Sequence, residues 1–462
     1  MTEKFQTISP IDGSVYLERA YSSDIEVDNA LTKAKHALVS WRKTSIDTRA
    51  TLCHEFVDAF CKQKVDIAKE ITRQMGRPIQ YAGGEVDGFT DRARYMIDIA
   101  KEKLQNISLP NVDGIQRYIQ REPLGIVLSM SPWNYPYLTA VNAIIPAIMA
   151  GNVVLLKPSA QAPLIAERLK AAFDEVTLPD GVFQYLFLPH DKALELVKNP
   201  AIDYVAFTGS VAGGEAVQEA AKHRFIQVGL ELGGKDAAYV REDVDLSYVV
   251  PNLVDGAFFN SGQSCCGIER IYVHESIYVD FVDQFCQQTL QYILANPLEA
   301  ETTLGPVVST KAAEFVRQQI LDAEASGAKT CIDSALFPNH QEGSAYLAPQ
   351  VLIDVDHTMS IMKDESFGPV VGIMSVSSDA QAIDLINDSD FGLTASVWTR
   401  DEGRAVAIGQ ALDVGTFFMN RCDYLDPALA WSGYKKSGLG CTLSEIGYEQ
   451  LTRPKSFHLR CE

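Results

Sequence analysis

The chain has 462 residues, 47% of them hydrophobic and 22% charged, with 60 acidic side chains against 40 basic ones and a formal charge of -20. That length suggests roughly three domains, and the composition is that of an ordinary globular protein. The negative balance disfavours nucleic acids and anionic membrane surfaces as partners, since both are held by basic surfaces.

Met1 to Gln6 carries no apolar core or cleavage site, so no export signal is expected. Ile8-Ser9-Pro10-Ile11-Asp12-Gly13 reads as a turn after a short strand. Ile25 to Trp41, Ile46 to Gly76 and Val86 to Leu104 show helical periodicity and read as amphipathic packing layers. From Ile107 to Glu122 the pattern changes to strand alternation, with Val112-Asp113-Gly114 as the turn. Such a hairpin has exposed edges, which a partner subunit would cover.

Gly125 to Met130 is a buried-type strand that ends in Ser131-Pro132-Trp133-Asn134-Tyr135-Pro136. The apolar stretch that follows, Tyr135 to Ala150, is too short to span a bilayer and contains Asn142 and Pro146. Val153 to Leu156 is a second strand delivering Lys157-Pro158-Ser159, and Asp203 to Thr208 is a third, leading into Gly209-Ser210 and a helix from Gly213 to Lys222. This alternation predicts a parallel sheet with helices on its faces and ligands at the carboxyl ends of its strands. A second α/β alternation starts at Asp236, with a strand at Ile271 to Val273 and helices at Tyr278 to Leu294 and Lys311 to Ser326. The tail, Ser456 to Arg460, is strand-like. Nine cysteines are scattered without metal-ligand spacing and their number is odd, so neither a metal site nor a disulfide framework is expected, and a reducing cytoplasm fits.

The chemistry centres on Phe258-Phe259-Asn260-Ser261-Gly262-Gln263-Ser264-Cys265-Cys266-Gly267, where two adjacent cysteines follow an apolar helix from Val249 to Phe259. Upstream, Leu230-Glu231-Leu232-Gly233-Gly234-Lys235 pins an acid between apolar residues. A cysteine nucleophile needs an activated thiol, and its acyl product needs a base to activate water. Cys265 and Glu231 are the candidates, although an inert buried cysteine is the competing reading. There is no GxGxxG motif. Instead Thr208-Gly209-Ser210 stands at a strand-to-helix turn, where backbone amides and the Ser210 hydroxyl could hold a pyrophosphate or Ser210 could simply cap the helix.

These two regions resemble the signature motifs of the NAD(P)-dependent aldehyde dehydrogenase superfamily, and matching turns recur from about Ile11 to Phe457. The resemblance implies an α/β fold of two parallel-sheet domains and a small β oligomerisation element. Residues 1–106 and 124–233 would bind the cofactor, 234–447 would form the catalytic domain, and 107–123 with 448–462 would join copies into a homodimer or homotetramer. It further implies Cys265 as nucleophile, Glu231 as base and Asn134 as oxyanion donor. NAD or NADP would be held by Lys157, Ser159, Gly209, Ser210, Glu365, Phe367, Trp133 and Leu232. A small-molecule aldehyde would be oxidised to an acid in a pocket drawing on Tyr135, Ser264, Cys266, Leu425 and Trp431.

Three departures from the family pattern stand out. The lysine that many members carry in the helix after the oxyanion asparagine is replaced by Asn142-Ala143, and the Arg-Glu pair near the C-terminus by Cys441-Thr442. The acid expected three residues after Lys157 is Ala160, which predicts use of both cofactors. Arg421 could grip the carboxylate of an acid semialdehyde, as in a succinate-semialdehyde-type dehydrogenase, or could pair with Asp423 or Asp426 at the surface. Rival functions are a CoA-acylating dehydrogenase, against which Glu231 argues, a cysteine hydrolase without nicotinamide, and a non-catalytic protein on the same fold.

Overall fold

A computed structural model describes residues 3–110 and 112–460. Met1, Thr2 and the last two positions of the expected C-terminal element therefore lie outside the described residues. Two large sheets organise the chain. The first has six strands in the order Gly438–Leu439, Gln227–Glu231, Tyr204–Thr208, Ile126–Met130, Val153–Lys157 and Phe183–Tyr185, parallel except for the antiparallel Gly438–Leu439. Its two central strands Ile126–Met130 and Val153–Lys157 are buried along their whole length and mostly apolar because helices cover both faces. The register aligns Met130 with Lys157 and Phe207, and Thr208 with Glu231, so the carboxyl ends of four neighbouring strands open on one edge.

The second sheet has seven strands, with Asp236–Val240 and Ile268–His274 side by side near its middle. Those two strands begin directly after the Glu231 turn and the Cys265 turn, which brings the two motifs together. A third sheet of three strands pairs Thr452–Arg460 along the full length of Ile115–Pro123, with Ile107–Ser108 on the other side.

The expected long helix from Ile46 to Gly76 is two helices, Ile46–Cys61 and Lys64–Met75. The chain turns at Lys62 and Gln63, where Gln63 donates to the Arg168 carbonyl (3.2 Å), and both apolar stripes reach the same core. The helix expected to run to Leu294 stops at Thr289, whose hydroxyl bonds back to the Phe285 carbonyl, and Leu294 bridges to Leu304 instead. The stretch expected to stay with the second sheet until residue 447 returns earlier. Gly438–Leu439 extends the first sheet, and Trp431, Leu443 and Tyr448 are buried in the first core. No helix among the described residues is long and apolar enough to cross a membrane.

Candidate active site

The helix Leu246–Phe258 ends in a 3₁₀ turn, Phe259–Gly262, in which Asn260 and Ser261 both adopt left-handed backbone angles (φ 54 and 57). Two consecutive non-glycine residues in that region are costly and persist only where their surroundings hold them. Here the holding groups are explicit. Ser261 donates to the Gly305 carbonyl (2.8 Å), and Gln263 accepts from the Val308 amide (2.7 Å). The Gln263 carbonyl accepts from the side-chain amides of Asn260 and of Asn134, both at 3.2 Å. Asn134 thus leans on the cysteine turn with one N–H and keeps its second.

Arg77 ties this arrangement to the helices. Its Nε donates to Asn260 (3.0 Å), a second nitrogen donates to the Asn134 carbonyl, and Nη1 pairs with Glu85 at 2.6 Å. Glu85 in turn accepts from the Tyr137 amide (2.7 Å) at the start of the helix Pro136–Met149, where a carboxylate complements the helix dipole. The side chains of both ions are almost fully buried, at 2% and 0% exposure.

Cys265 and Glu231 line one cavity of about 540 Å³ with Tyr135, Ser264, Cys266, Arg421, Leu425 and Trp431. All six expected pocket residues are therefore on its wall. Cys265 is half-buried and Cys266 buried. The Cys266 thiol donates to Asp423 at 2.8 Å, and the Ser264 hydroxyl reaches the same oxygen at 3.2 Å. A hydrogen bond with Cys265, then burial and the Asp423 charge, push the Cys266 thiol well up. At Gly234 a Cβ would sit 2.4 Å from the Cys265 carbonyl oxygen, so only glycine lets the two turns pack this closely.

Glu231 receives hydrogen bonds from Thr208 (3.1 Å), Thr442 and Asn142 (3.4 Å). Burial raises its carboxyl above the ordinary range, and these donors with Arg92 oppose the rise. A base poised this way sits closer to neutrality than a free glutamate, which suits proton abstraction from water. Behind it lies an inner cavity of about 20 Å³, lined by Asn142, Ser131 and Thr442. That volume is enough for about one water molecule.

Of the residues expected to hold a dinucleotide, Trp133, Lys157, Ser159, Gly209, Ser210 and Leu232 stand at the carboxyl edge of the first sheet, and Glu365 and Phe367 lie in the loop before Val370–Val376 of the second. The Lys157 side chain is buried and makes no hydrogen bond or ion pair among the described residues, and burial lowers its pKa. Its ammonium is therefore free to meet a polar ligand at the mouth of the strand. The Ser210 hydroxyl accepts from the Gly213 amide (3.2 Å), so the serine caps its helix and leaves the first amides of that helix open to an anion. Gly209 bonds the Glu231 carbonyl (3.0 Å), Leu232 packs against Gly214, and Ser159 accepts from the Gln161 amide (3.2 Å). Trp133 and Phe367 meet edge to face at 5.6 Å. Glu365 accepts from the Gly234 amide (3.1 Å), and burial next to Glu269 pushes its pKa up to about 8. A buried Lys235–Glu269 pair fixes this loop, since Glu269 also accepts from the amides of Ser366 and Phe367 at 2.8 and 2.9 Å. The residues present thus fit a dinucleotide.

Arg421 departs from expectation. It pairs with neither Asp423 nor Asp426, but lies exposed with its guanidinium 3.4 Å from the centre of the Tyr424 ring. Asp423 is engaged by Cys266 and Ser264, and Asp426 accepts from the Ala428 amide (2.9 Å). Asp423, Asp91, Asp255 and Arg92 also line the cavity, and sequence reasoning gave none of them that role. Asp423 entered only as a surface partner for Arg421. Asp91 and Arg92 are charges on an amphipathic helix, where the ordinary reading is a solvated face, and Asp255 is a lone charge in the apolar helix before the cysteines. No grouping of three or more potential metal ligands occurs among the described residues.

A sequence profile described as the aldehyde dehydrogenase family matches residues 1–457. An aldehyde dehydrogenase of Paenarthrobacter nicotinovorans is 34% identical over 454 residues, covering 97% of this chain and 98% of the relative. Peroxisomal aminoaldehyde dehydrogenase 1 of Pisum sativum is 33% identical over 459 residues, with coverage of 97% and 91%. The NADP complex of the NADP-dependent glyceraldehyde-3-phosphate dehydrogenase of Bacillus halodurans superimposes with a TM-score of 0.93 at 33% identity, covering 100% of this chain and 96% of that one.

Proposed function

Because this chain belongs to the aldehyde dehydrogenase family, whose similar solved members use NAD or NADP, we propose that it oxidises a small aldehyde carrying a cationic amine, with Cys265 as nucleophile and Glu231 as base. The observation that carries the chemistry is the shared cavity of Cys265 and Glu231, braced by Asn134. After releasing its proton to solvent, the Cys265 sulfur adds as the thiolate to the carbonyl carbon, and the oxygen becomes an oxyanion facing the second N–H of Asn134. One preorganised donor of this sort contributes about 3–4 kcal/mol to the transition state. Bound nicotinamide supplies the acceptor for the hydride that leaves this carbon. A thioester remains on Cys265. Glu231 takes a proton from water as its oxygen attacks the thioester, and the acid departs as the thiol is restored.

The amine is supported by the charges on the cavity wall. Arg77 is neutralised by Glu85, Arg421 is stacked on Tyr424 and the charge of Arg92 is met by Glu231, which leaves Asp91, Asp255 and Asp423 as the unmatched charges on the wall. Relatives named aminoaldehyde dehydrogenases point the same way. An acid semialdehyde finds less support, because Arg421 is stacked on Tyr424 at the rim. The open edges of the three-stranded sheet support assembly with further copies of the chain. The free thiols of the eight described cysteines support a reducing compartment such as the cytoplasm.

The test is absorbance of reduced nicotinamide with three aldehydes of similar length: aminated, neutral and carboxylated. The aminated one is expected to give the highest kcat/KM. A tenfold or larger preference for the carboxylated one would overturn the substrate reading.

A further inference from the structure

Arg92 is buried in the helix Gly84–Lys103, on the wall of the cavity that holds Cys265 and Glu231. Buried arginines are rare unless paired, yet no carboxylate forms an ion pair with this one among the described residues. Its Nη1 donates to the Leu138 carbonyl (2.7 Å) and to the side-chain oxygen of Asn142 (3.2 Å). With its oxygen so occupied, Asn142 presents its nitrogen to Glu231 Oε1 at 3.4 Å. That contact is long, and the arginine fixes the flip of the amide that makes it. Asn142 is 3% exposed and has no other side-chain partner in its neighbourhood that would choose this orientation.

We propose that Arg92 and Asn142 form a positioning pair for Glu231. Arg92 orients the Asn142 amide and supplies the positive charge facing the base, and Asn142, beside Thr442, directs Oε1 inward so that Oε2, which Thr208 holds, serves the thioester. The inference rests on Glu231 being the base, and it gives a purpose to Asn142, where this chain departs from the family pattern. Other titratable groups facing Glu231 are Tyr204, Cys441 and Cys265, none of them cationic. Arg92 is thus the cation whose field reaches the carboxylate.

The experiment separates acylation from deacylation by recording the burst of reduced cofactor and the steady-state rate across about pH 5 to 9. Asn142→Ala is expected to keep the burst and lower the steady-state rate about tenfold, a fraction of what a general base contributes. Its acid limb should move to higher pH, because the carboxylate loses a donor to its charged form. Arg92→Met should shift the limb in the same direction and Arg92→Lys should restore it, which a merely structural role would not do. If Arg92→Met does not fold, the Asn142→Ala limb decides. Unchanged acid limbs, with Glu231→Gln giving a burst only, would overturn the pair and leave the base assignment standing. Steady-state turnover by Glu231→Gln at the wild-type rate would overturn the base assignment, and the pair with it.

Discussion

The Cys266 thiol is held by the Asp423 carboxylate at 2.8 Å, while its neighbour Cys265 faces the cavity without such an anchor. A thiol that donates to a carboxylate is kept protonated, since the thiolate would face the anion directly. The two adjacent cysteines are therefore not interchangeable. Cys265→Ala is expected to abolish turnover and the burst, whereas Cys266→Ala should retain activity within about tenfold. Burst kinetics on both variants make the comparison, and equal loss would reverse the choice of nucleophile.

Asp423 also supplies a test of the amine. Asp423→Asn keeps the shape and the acceptor but removes the charge. For an aminated aldehyde kcat/KM should fall about tenfold or more, since charge pairs about 5 Å apart in a damp cleft are worth roughly 1–3 kcal/mol. A neutral aldehyde of the same length should change little. Arg421→Ala should affect both substrates equally, because its guanidinium is spent on Tyr424.

Cofactor choice turns on position 160. Lys157 has no protein partner to distract it, and Ala160 offers no carboxylate to repel a phosphate or to bind ribose hydroxyls. Both cofactors should be used, with kcat/KM values within about a hundredfold of one another. Ala160→Glu should penalise NADP far more than NAD. A wild-type preference for NAD beyond a thousandfold would place the discrimination elsewhere.

Glu365 predicts a dependence on pH. Its folded pKa of about 8 lies above its unfolded value, so the folded state binds the extra proton between the two. The stability this contributes is complete below the unfolded pKa and is lost as pH rises through about 8. The ionised form is the better acceptor for ribose hydroxyls. Cofactor affinity, measured by titration calorimetry, should therefore strengthen as pH rises through that range, and Glu365→Gln should flatten both trends.

The buried Arg77–Glu85 pair predicts a stability cost. Removing one partner strands the other charge, at about 3–5 kcal/mol. Arg77→Met should shift the denaturant midpoint accordingly, and it should also impair acylation because Asn134 and Asn260 lose their common brace. Loss of stability with an intact acylation rate would mean that the oxyanion donor is held by Gln263 alone.

Much of this architecture is legible in the sequence because it is local. The strand–helix alternation marks the strand that delivers Lys157, and the glycine-rich turn after Glu231 marks where backbone must pass backbone, as at Gly234, while the strand Gln227–Glu231 itself is not read from the sequence. What is not legible depends on distant side chains meeting. Arg92 and Glu85 sit at helical spacing that reads as a polar face, and only the packing of Pro136–Met149 onto their helix turns that face inward. The turn at Lys62 and Gln63 is missed for a related reason: both halves keep good helical periodicity, and the break answers to a carbonyl more than a hundred residues away.

The pairing of Thr452–Arg460 with Ile115–Pro123 has a consequence for how the protein is made. One strand of that sheet is synthesised early and its partner only after more than three hundred further residues. At ribosomal speeds of about 5–20 residues per second, the early strand waits roughly 17 to 70 s with an unfilled edge. Gly438–Leu439, which closes the sheet beside Glu231, is equally late. A ribosome stalled before these segments emerge would therefore hold a nascent chain with both catalytic motifs already outside and no means of completing the site, so activity should begin only after Thr452–Arg460 has emerged.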